Sequence, residues 1–206
     1  MQKDNIFYNL SYVYELVIIL IIFIIFSIYS KQKILIILSF LFLFLLFFFF
    51  RNFIFTLKLN SSLFLSPSSS TITNIDYNQN IIYTYLSPLD KHFIIAPVDC
   101  TVTNIERKKL KESDAERVRV TFMDKYGSKF SLDQIVSKFG YGAWLLSFIY
   151  KERCVVYSKV GDKLKQGERY GLIRFGSNMQ YNLPKKYNII VNKNEHIKLG
   201  NPIAIL

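Results

Sequence analysis

The chain holds two histidines, His92 and His196, and two cysteines, Cys100 and Cys154. Two cysteines cannot build a disulfide framework. They also lack the neighbours of a zinc site, so no metal centre is expected. There is no HExxH helix, no Walker loop and no GxSxG elbow, which removes the commonest metallopeptidase, nucleotidase and serine-hydrolase chemistries. His196 lies inside a repeated turn-and-strand segment and reads as a surface strand residue. His92 stands near a proline turn, and a lone histidine there is more often structural than catalytic. Asp90 precedes it by two residues, so on an extended strand both would point the same way. The pair Gly176-Ser177 follows Ile173-Arg174-Phe175, and a Gly-Ser pair alone carries no chemistry.

The elements that must position these residues fall into two unlike parts. The chain has 206 residues, 51% of them hydrophobic, and a formal net charge of +11. Residues 16–30 and 34–50 carry no charged side chain and are separated by Lys31-Gln32-Lys33. A bilayer core of about 30 Å asks for roughly 20 helical residues. Each run reaches that length only if Glu15 sits at the interface and Arg51 snorkels. A basic n-region with a small-residue cleavage site is missing, so this is not read as a signal peptide. Residues 1–57 are expected to form a membrane anchor of two transmembrane helices, about 12–30 and 34–57. A hairpin inserted from one face is the alternative. A wholly soluble protein and a multi-pass transporter are excluded.

Residues 58–206 hold 22 Lys/Arg against 13 Asp/Glu, and 149 residues can bury their own core. A basic domain suits nucleic acid or anionic lipid headgroups. The adjoining hydrophobic hairpin favours lipid, and no nucleic-acid partner is expected. The runs 81–86, 92–98, 117–123, 153–158 and 169–175 are short, β-branched and aromatic, with Pro, Gly, Asn or Asp between them. Arg117–Met123 alternates strictly. Asp133–Tyr150 is the one stretch able to hold a useful helix, and Gly140 and Gly142 interrupt it. The fold class is therefore mainly β, a barrel-sandwich-like domain of short strands. A weak repeat supports this: residues 161–173 parallel 194–205, with Lys165 and Gly167 falling on Lys198 and Gly200. Each copy reads as turn, short strand, Gly turn, strand. Ala96–Val102 is similar to the opening strand of biotinyl and lipoyl carriers, but no lysine at a hairpin tip is evident. That likeness concerns fold, not carrier function.

Three motifs in order carry a more specific resemblance. Residues 161–177 read GDKLKQGERYGLIRFGS, with Pro184 beyond. Residues 87–100 read SPLDKHFIIAPVDC, and residues 49–53 read FFRNF. Together they resemble the phosphatidylserine decarboxylase family, whose small bacterial and archaeal branch carries GERxGxIRFGSRVDxxxP, SPLDVHxxRAPVDG and FFRDP. The order and spacing agree from about residue 15 to the C-terminus.

The resemblance implies a pyruvoyl enzyme that matures itself. The Ser177 hydroxyl would attack the Gly176 carbonyl, and β-elimination would cut the chain into residues 1–176 and 177–206. Ser177 would become a pyruvoyl group, the only cofactor implied. Its ketone would condense with the amine of a phosphatidylserine headgroup, or an archaeal-type analogue. It would then take up the electrons released as CO2 leaves, as PLP does elsewhere. His92 matches the family histidine of decarboxylation, Arg174 is a candidate for the lipid phosphate, and Asp90 is a candidate supporting acid. The implied partners are a phospholipid in a bacterial-type inner membrane or an organelle membrane, and the two cleaved chains. A homodimer is left open. The chain departs from the family at several positions. Ser69 stands where the SPADG motif has aspartate, and Ile95 where a basic residue is kept. Asn52-Phe53 replaces Asp-Pro, and Asn178-Met179-Gln180 replaces Arg-Val-Asp. These leave a second reading open, a non-catalytic relative that keeps the anchor and the fold.

Overall fold

A computed structural model describes residues 13–49, 59–87, 90–110, 115–136, 152–174 and 177–206. The chain divides into two compact units, Met1–Phe55 and Thr56–Leu206.

The first unit is a helical hairpin. Helix α1 (Tyr14–Tyr29) and helix α2 (Lys33–Phe49) are free of Pro and Gly, so nothing interrupts their backbone ladders. The break falls at Ser30–Gln32, where Lys31 takes a left-handed φ of 54°. Ser27 and Ser39 are buried where the helices meet, with hydroxyl oxygens 3.5 Å apart. Each donates back to its own helix, to the Phe23 and Leu35 carbonyls. Small residues of this kind let apolar helices approach closely. Ile22, Ile25, Phe26, Phe42 and Phe44 face outward and are exposed. At about 1.5 Å per residue, helices of 16 and 17 residues measure roughly 24 and 26 Å, short of a bilayer core of about 30 Å. Among the described residues no helix is long and apolar enough to cross a membrane. The described residues therefore do not support two full spans. The added length of the second span required residues 50–57, which lie outside the described residues, as does the FFRNF motif beyond Phe49.

The second unit is mainly β. Its strands, all paired antiparallel, are β1 (Leu63–Leu65), β2 (Ser70–Asp76), β3 (Ile81–Leu86), β4 (Phe93–Ile95), β5 (Cys100–Leu110), β6 (Ala115–Asp124) and β7 (Lys129–Val136). They continue with β8 (Cys154–Val156), β9 (Lys163–Leu164), β10 (Arg169–Ile173), β11 (Ser177–Asn182), β12 (Asn188–Ile189), β13 (His196–Ile197) and β14 (Pro202–Ile205). One sheet has the order β13-β2-β3-β11-β7-β6-β5-β9, and two three-stranded sheets have the orders β4-β10-β8 and β1-β14-β12. In β6 the alternation is realised: Val118, Val120 and Phe122 are fully buried while Arg117, Arg119 and Thr121 are partly exposed. Phe122 stacks on Phe130 at 5.1 Å between ring centroids, and Tyr170 meets Phe122 edge-on. The stretch 133–150, read as able to hold a helix, begins as strand. Residues 133–136 belong to β7, which is bonded on both sides by β6 and β11. Two ladder partners outweigh a local helical pattern; residues 137–150 lie outside the described residues.

The repeat extends much further than residues 161–173 and 194–205. Gly161 and Asn194 open equivalent turns with φ of 95° and 69°, and Gly167 and Gly200 close them with φ of 84° and 81°. The Gly161 amide donates to Val102 and the Asn194 amide to Ile72. The Gly167 amide donates to Ala96 and the Gly200 amide to Ser66. Leu65 donates to the Pro97 carbonyl, and Ile95 reciprocates to Pro67. Residues 65–72 and 95–102 are thus equivalent, which maps the serine-rich turn Ser66–Ser70 onto Ala96–Cys100. The sheet orders mirror this, β2-β3 on one side of the large sheet answering β5-β6 on the other.

Candidate active site

Ser177 opens β11, with its backbone paired to Leu86 at the end of β3. Four residues earlier, the Ile173 amide donates to the His92 carbonyl at 2.8 Å, and Leu172 pairs with Phe93. Two neighbouring stretches of chain therefore change sheets together. One leaves β3 of the large sheet and enters β4 of the small one. The other leaves β10 of the small sheet and enters β11 of the large one. In sequence the Gly176–Ser177 bond falls between β10 and β11, and His92 immediately precedes β4. Phe175, Gly176 and the Ser177 side chain are outside the described residues. His92 is 3% exposed.

Strands β10 and β11 are each held without help from the bond between them. β10 pairs with β4 and β8, and β11 pairs with β3 and β7. Downstream, β13 pairs with β2, and β14 with β1. A cut before Ser177 leaves its 30-residue product laddered to the rest of the domain at three places. A pyruvoyl group built from Ser177 thus fits the fold without dismantling it.

The serine-rich turn is wholly buried. Ser66 donates to the Ser68 carbonyl at 2.7 Å, and the Ser68 hydroxyl lies 2.7 Å from the Tyr181 phenol. Ser70 and Thr84 also reach that phenol, at 3.3 Å each. Burial pushes the Tyr181 phenol up, and these hydroxyls partly offset it. Ser69, at the family's aspartate position, accepts a hydrogen bond from the Leu199 amide at 3.1 Å. In the equivalent turn the Asp99 carboxylate accepts from the Gln166 amide at 2.8 Å. Ile95, at the family's basic position, is fully buried, and its amide donates to Pro67 in the same turn. The two departures therefore sit beside each other.

Arg174 does not stand free in solvent. Its amide donates to the Arg153 carbonyl, and its guanidinium to the Glu152 carbonyl at 2.5 Å. It ties the end of β10 to the approach to β8. Arg153 is buried, and burial holds its guanidinium below the usual arginine range despite nearby Glu116. Arg169, matched as a motif residue and assigned no role, is buried with its guanidinium carbon 4.2 Å from the Phe93 ring centroid. It packs on the neighbour of His92.

Asp90 and His92 are not on one extended strand. Both precede β4, and Asp90 is folded into a turn. Its amide donates to the Ser87 carbonyl at 3.0 Å, and its Oδ2 accepts from the Ser87 amide at 2.8 Å. Its Oδ1 lies 3.4 Å from His196 Nε2. His196 Nδ1 in turn lies 3.2 Å from the Thr71 hydroxyl. His196 is a surface strand residue as read, half exposed in β13, and it also joins the turn before His92. No local signal connects positions 90 and 196.

These features fit the comparisons with known proteins. A family profile described as phosphatidylserine decarboxylase matches residues 56–205. The chain belongs to the phosphatidylserine decarboxylase family. A Methanosarcina mazei protein named as an archaetidylserine decarboxylase proenzyme is 29% identical over 155 residues, covering 71% of this chain and 68% of that protein. A phosphatidylserine decarboxylase proenzyme of Thermobifida fusca is 31% identical over 151 residues, 68% of this chain and 64% of its own length. One from Neisseria meningitidis serogroup B is 27% identical over 140 residues, covering 62% and 51%. No solved structure matches the chain.

Proposed function

We propose that the chain is a membrane-attached, self-processing decarboxylase that converts a serine phospholipid to its ethanolamine counterpart and CO2. The Ser177 hydroxyl attacks the Gly176 carbonyl, and the peptide N–C bond gives way to an ester. Loss of the Ser177 Cα proton and cleavage of the Cβ–O bond then release the Gly176 carboxylate. Water hydrolyses the remaining enamine to a terminal pyruvoyl ketone and ammonia. A glycine before the serine leaves room for that attack. The ketone supplies an electron sink for the loss of CO2. His92 returns a proton to the carbon that has lost CO2, a task suited to an imidazole near neutral pH. Arg174 lies at the same edge and offers a cation to the lipid phosphate.

The observation that carries this reading is the paired change of sheets. The Ile173 amide donates to the His92 carbonyl, the Ser177 backbone pairs with Leu86, and the strands on either side of the bond are independently paired. The outward apolar face of the helical hairpin supports attachment by insertion from one side of a bilayer. The test is a time course of purified full-length protein by denaturing gel and intact mass. A 30-residue fragment beginning at Ser177 is expected. It should carry a ketone that reacts with a carbonyl reagent, and should stay with residues 1–176 until denaturant is added. Ser177→Ala should remain one chain. A wild-type band that stays whole on long incubation, unlabelled by the reagent, overturns the reading.

A further inference from the structure

We propose that His196 is a positioning residue of this site, tying the turn before His92 to the sheet that carries Ser177. The proposal rests on the self-processing reading above. Asp90 is 8% exposed, and a carboxylate so buried needs partners for its oxygens. Oδ2 has the Ser87 amide and Oδ1 has His196 Nε2 at 3.4 Å. The Thr71 hydroxyl at 3.2 Å from Nδ1 fixes the ring from its other side. The turn so held spans the gap between Leu86, paired to Ser177, and His92, whose carbonyl takes the Ile173 amide. Movement of the Ser87–Asp90 turn would shift the adjoining Leu86, and with it the Ser177 backbone that Leu86 pairs, which is the route by which it would reach the cut.

His196 does not itself reach the reacting atoms. Across the sheet it pairs with Thr71, Thr71 with Tyr85, and Tyr85 with Asn178. Three strand steps of about 4.8 Å separate its backbone from that of Asn178 by roughly 14 Å. Its effect must pass through Asp90. Nor does the repeat demand the contact. The equivalent positions are Lys163, which pairs with Thr101, and Asn60, whose uncharged side chain accepts from Ser62 instead. Among the described residues the contact has no counterpart at the equivalent positions of the other half. It also spans the cut, since Asp90 belongs to residues 1–176 and His196 to 177–206.

The test uses the full chain in detergent. His196→Ala is expected to slow appearance of the 30-residue fragment about tenfold, within the coupling seen for residues of one network. His196→Gln, whose amide can still bond Asp90, should recover most of that loss. The double variant Asp90→Asn/His196→Ala should be no slower than the slower single variant. In a Ser177→Ala background, hydrogen exchange at the Ser87 and Asp90 amides should quicken about tenfold on His196→Ala, with β9 amides unchanged. Unchanged exchange at Ser87 and Asp90 overturns the proposal. So does faster exchange accompanied by wild-type processing, or a His196→Gln chain as slow as His196→Ala. If the wild type never processes, the decarboxylase reading fails by itself, and the exchange arm still decides whether His196 holds the turn.

Discussion

At position 69 a serine hydroxyl accepts the Leu199 amide where, in the equivalent turn, the Asp99 carboxylate accepts the Gln166 amide. The turn is already shaped to seat a carboxylate. Ser69→Asp should therefore fold, with one backbone donor ready for the new charge and the Ser68 and Ser70 hydroxyls adjacent in the turn. If position 69 has the role the family resemblance implies, a carboxylate there would stabilise the protonated base of self-cleavage, and the expected result is faster appearance of the 30-residue fragment. An unchanged time course at unchanged melting temperature would refute that role for position 69. His92 tests the later chemistry. His92→Ala should still split into two chains yet lose about 10²–10⁴-fold in product formation, the usual share of a general acid. Equal turnover in the two proteins would return His92 to a packing role.

Among the elements, β10 is the one that feeds the cleavage segment, and Gly171 is its tightest point. A Cβ there would lie 2.8 Å from the Val155 carbonyl oxygen of β8 and 3.0 Å from the Gln134 amide nitrogen. The first neighbour is ladder backbone and cannot swing aside. Gly171→Ala should cost about 1–3 kcal/mol, as overpacking does. It should also slow processing, because β10 must shift. Gly127, with a φ of 79° and nothing within 4 Å of its Cβ position, isolates the backbone cost of positive φ. Gly127→Ala should destabilise by only about 1–2 kcal/mol and leave processing alone. Urea melts of both variants, run beside the cleavage assay, separate the two effects. A Gly171→Ala chain as stable as wild type would contradict the packing of β10 on β8.

The molecule as a whole hides its weak acids. Burial, with Asp99 next, pushes the Cys100 thiol up to about 12. Burial raises the Cys154 thiol and the Tyr170 and Tyr181 phenols as well, and brings the Tyr187 phenol to about 12. Below the ordinary thiol range both folded and unfolded chains keep these protons, so their full contribution to stability is present. Above about pH 9 the unfolded chain ionises first. Stability should then fall by about 1.4 kcal/mol per pH unit for each group once its unfolded form ionises, and for Cys100 and Tyr187 the fall ends where the folded group titrates, at about 12. Denaturant melts between pH 8 and 11 should show this steepening loss, and Cys100→Ala should flatten it. Native protein should also resist thiol alkylation at pH 8 and accept two labels once unfolded, since both cysteines are buried. Prompt alkylation of the folded chain would contradict the burial.

The sequence by itself determined the family, the β class and the repeated turn. Each of these is written locally: in the contiguous run Ile173–Ser177 behind Gly167-Glu168-Arg169, in the alternation of Arg117–Met123, and in glycines that must take positive φ. The helix boundaries were less legible. A stretch of apolar residues fixes helix type but not how many residues the helix runs, and the described parts of α1 and α2 are shorter than full spans. Residues 133–136 are undecided in sequence because their conformation is set by β6 and β11 on either side. The reach of the repeat was hidden for a similar reason. Ser66–Ser70 and Ala96–Cys100 share little composition, and their equivalence lies in which amides they receive. Only tertiary structure brought Asp90 to His196, Arg169 to Phe93 and Ile95 to the serine-rich turn. Those contacts join positions that local pattern does not link, so they depend on which strands the finished sheets set side by side.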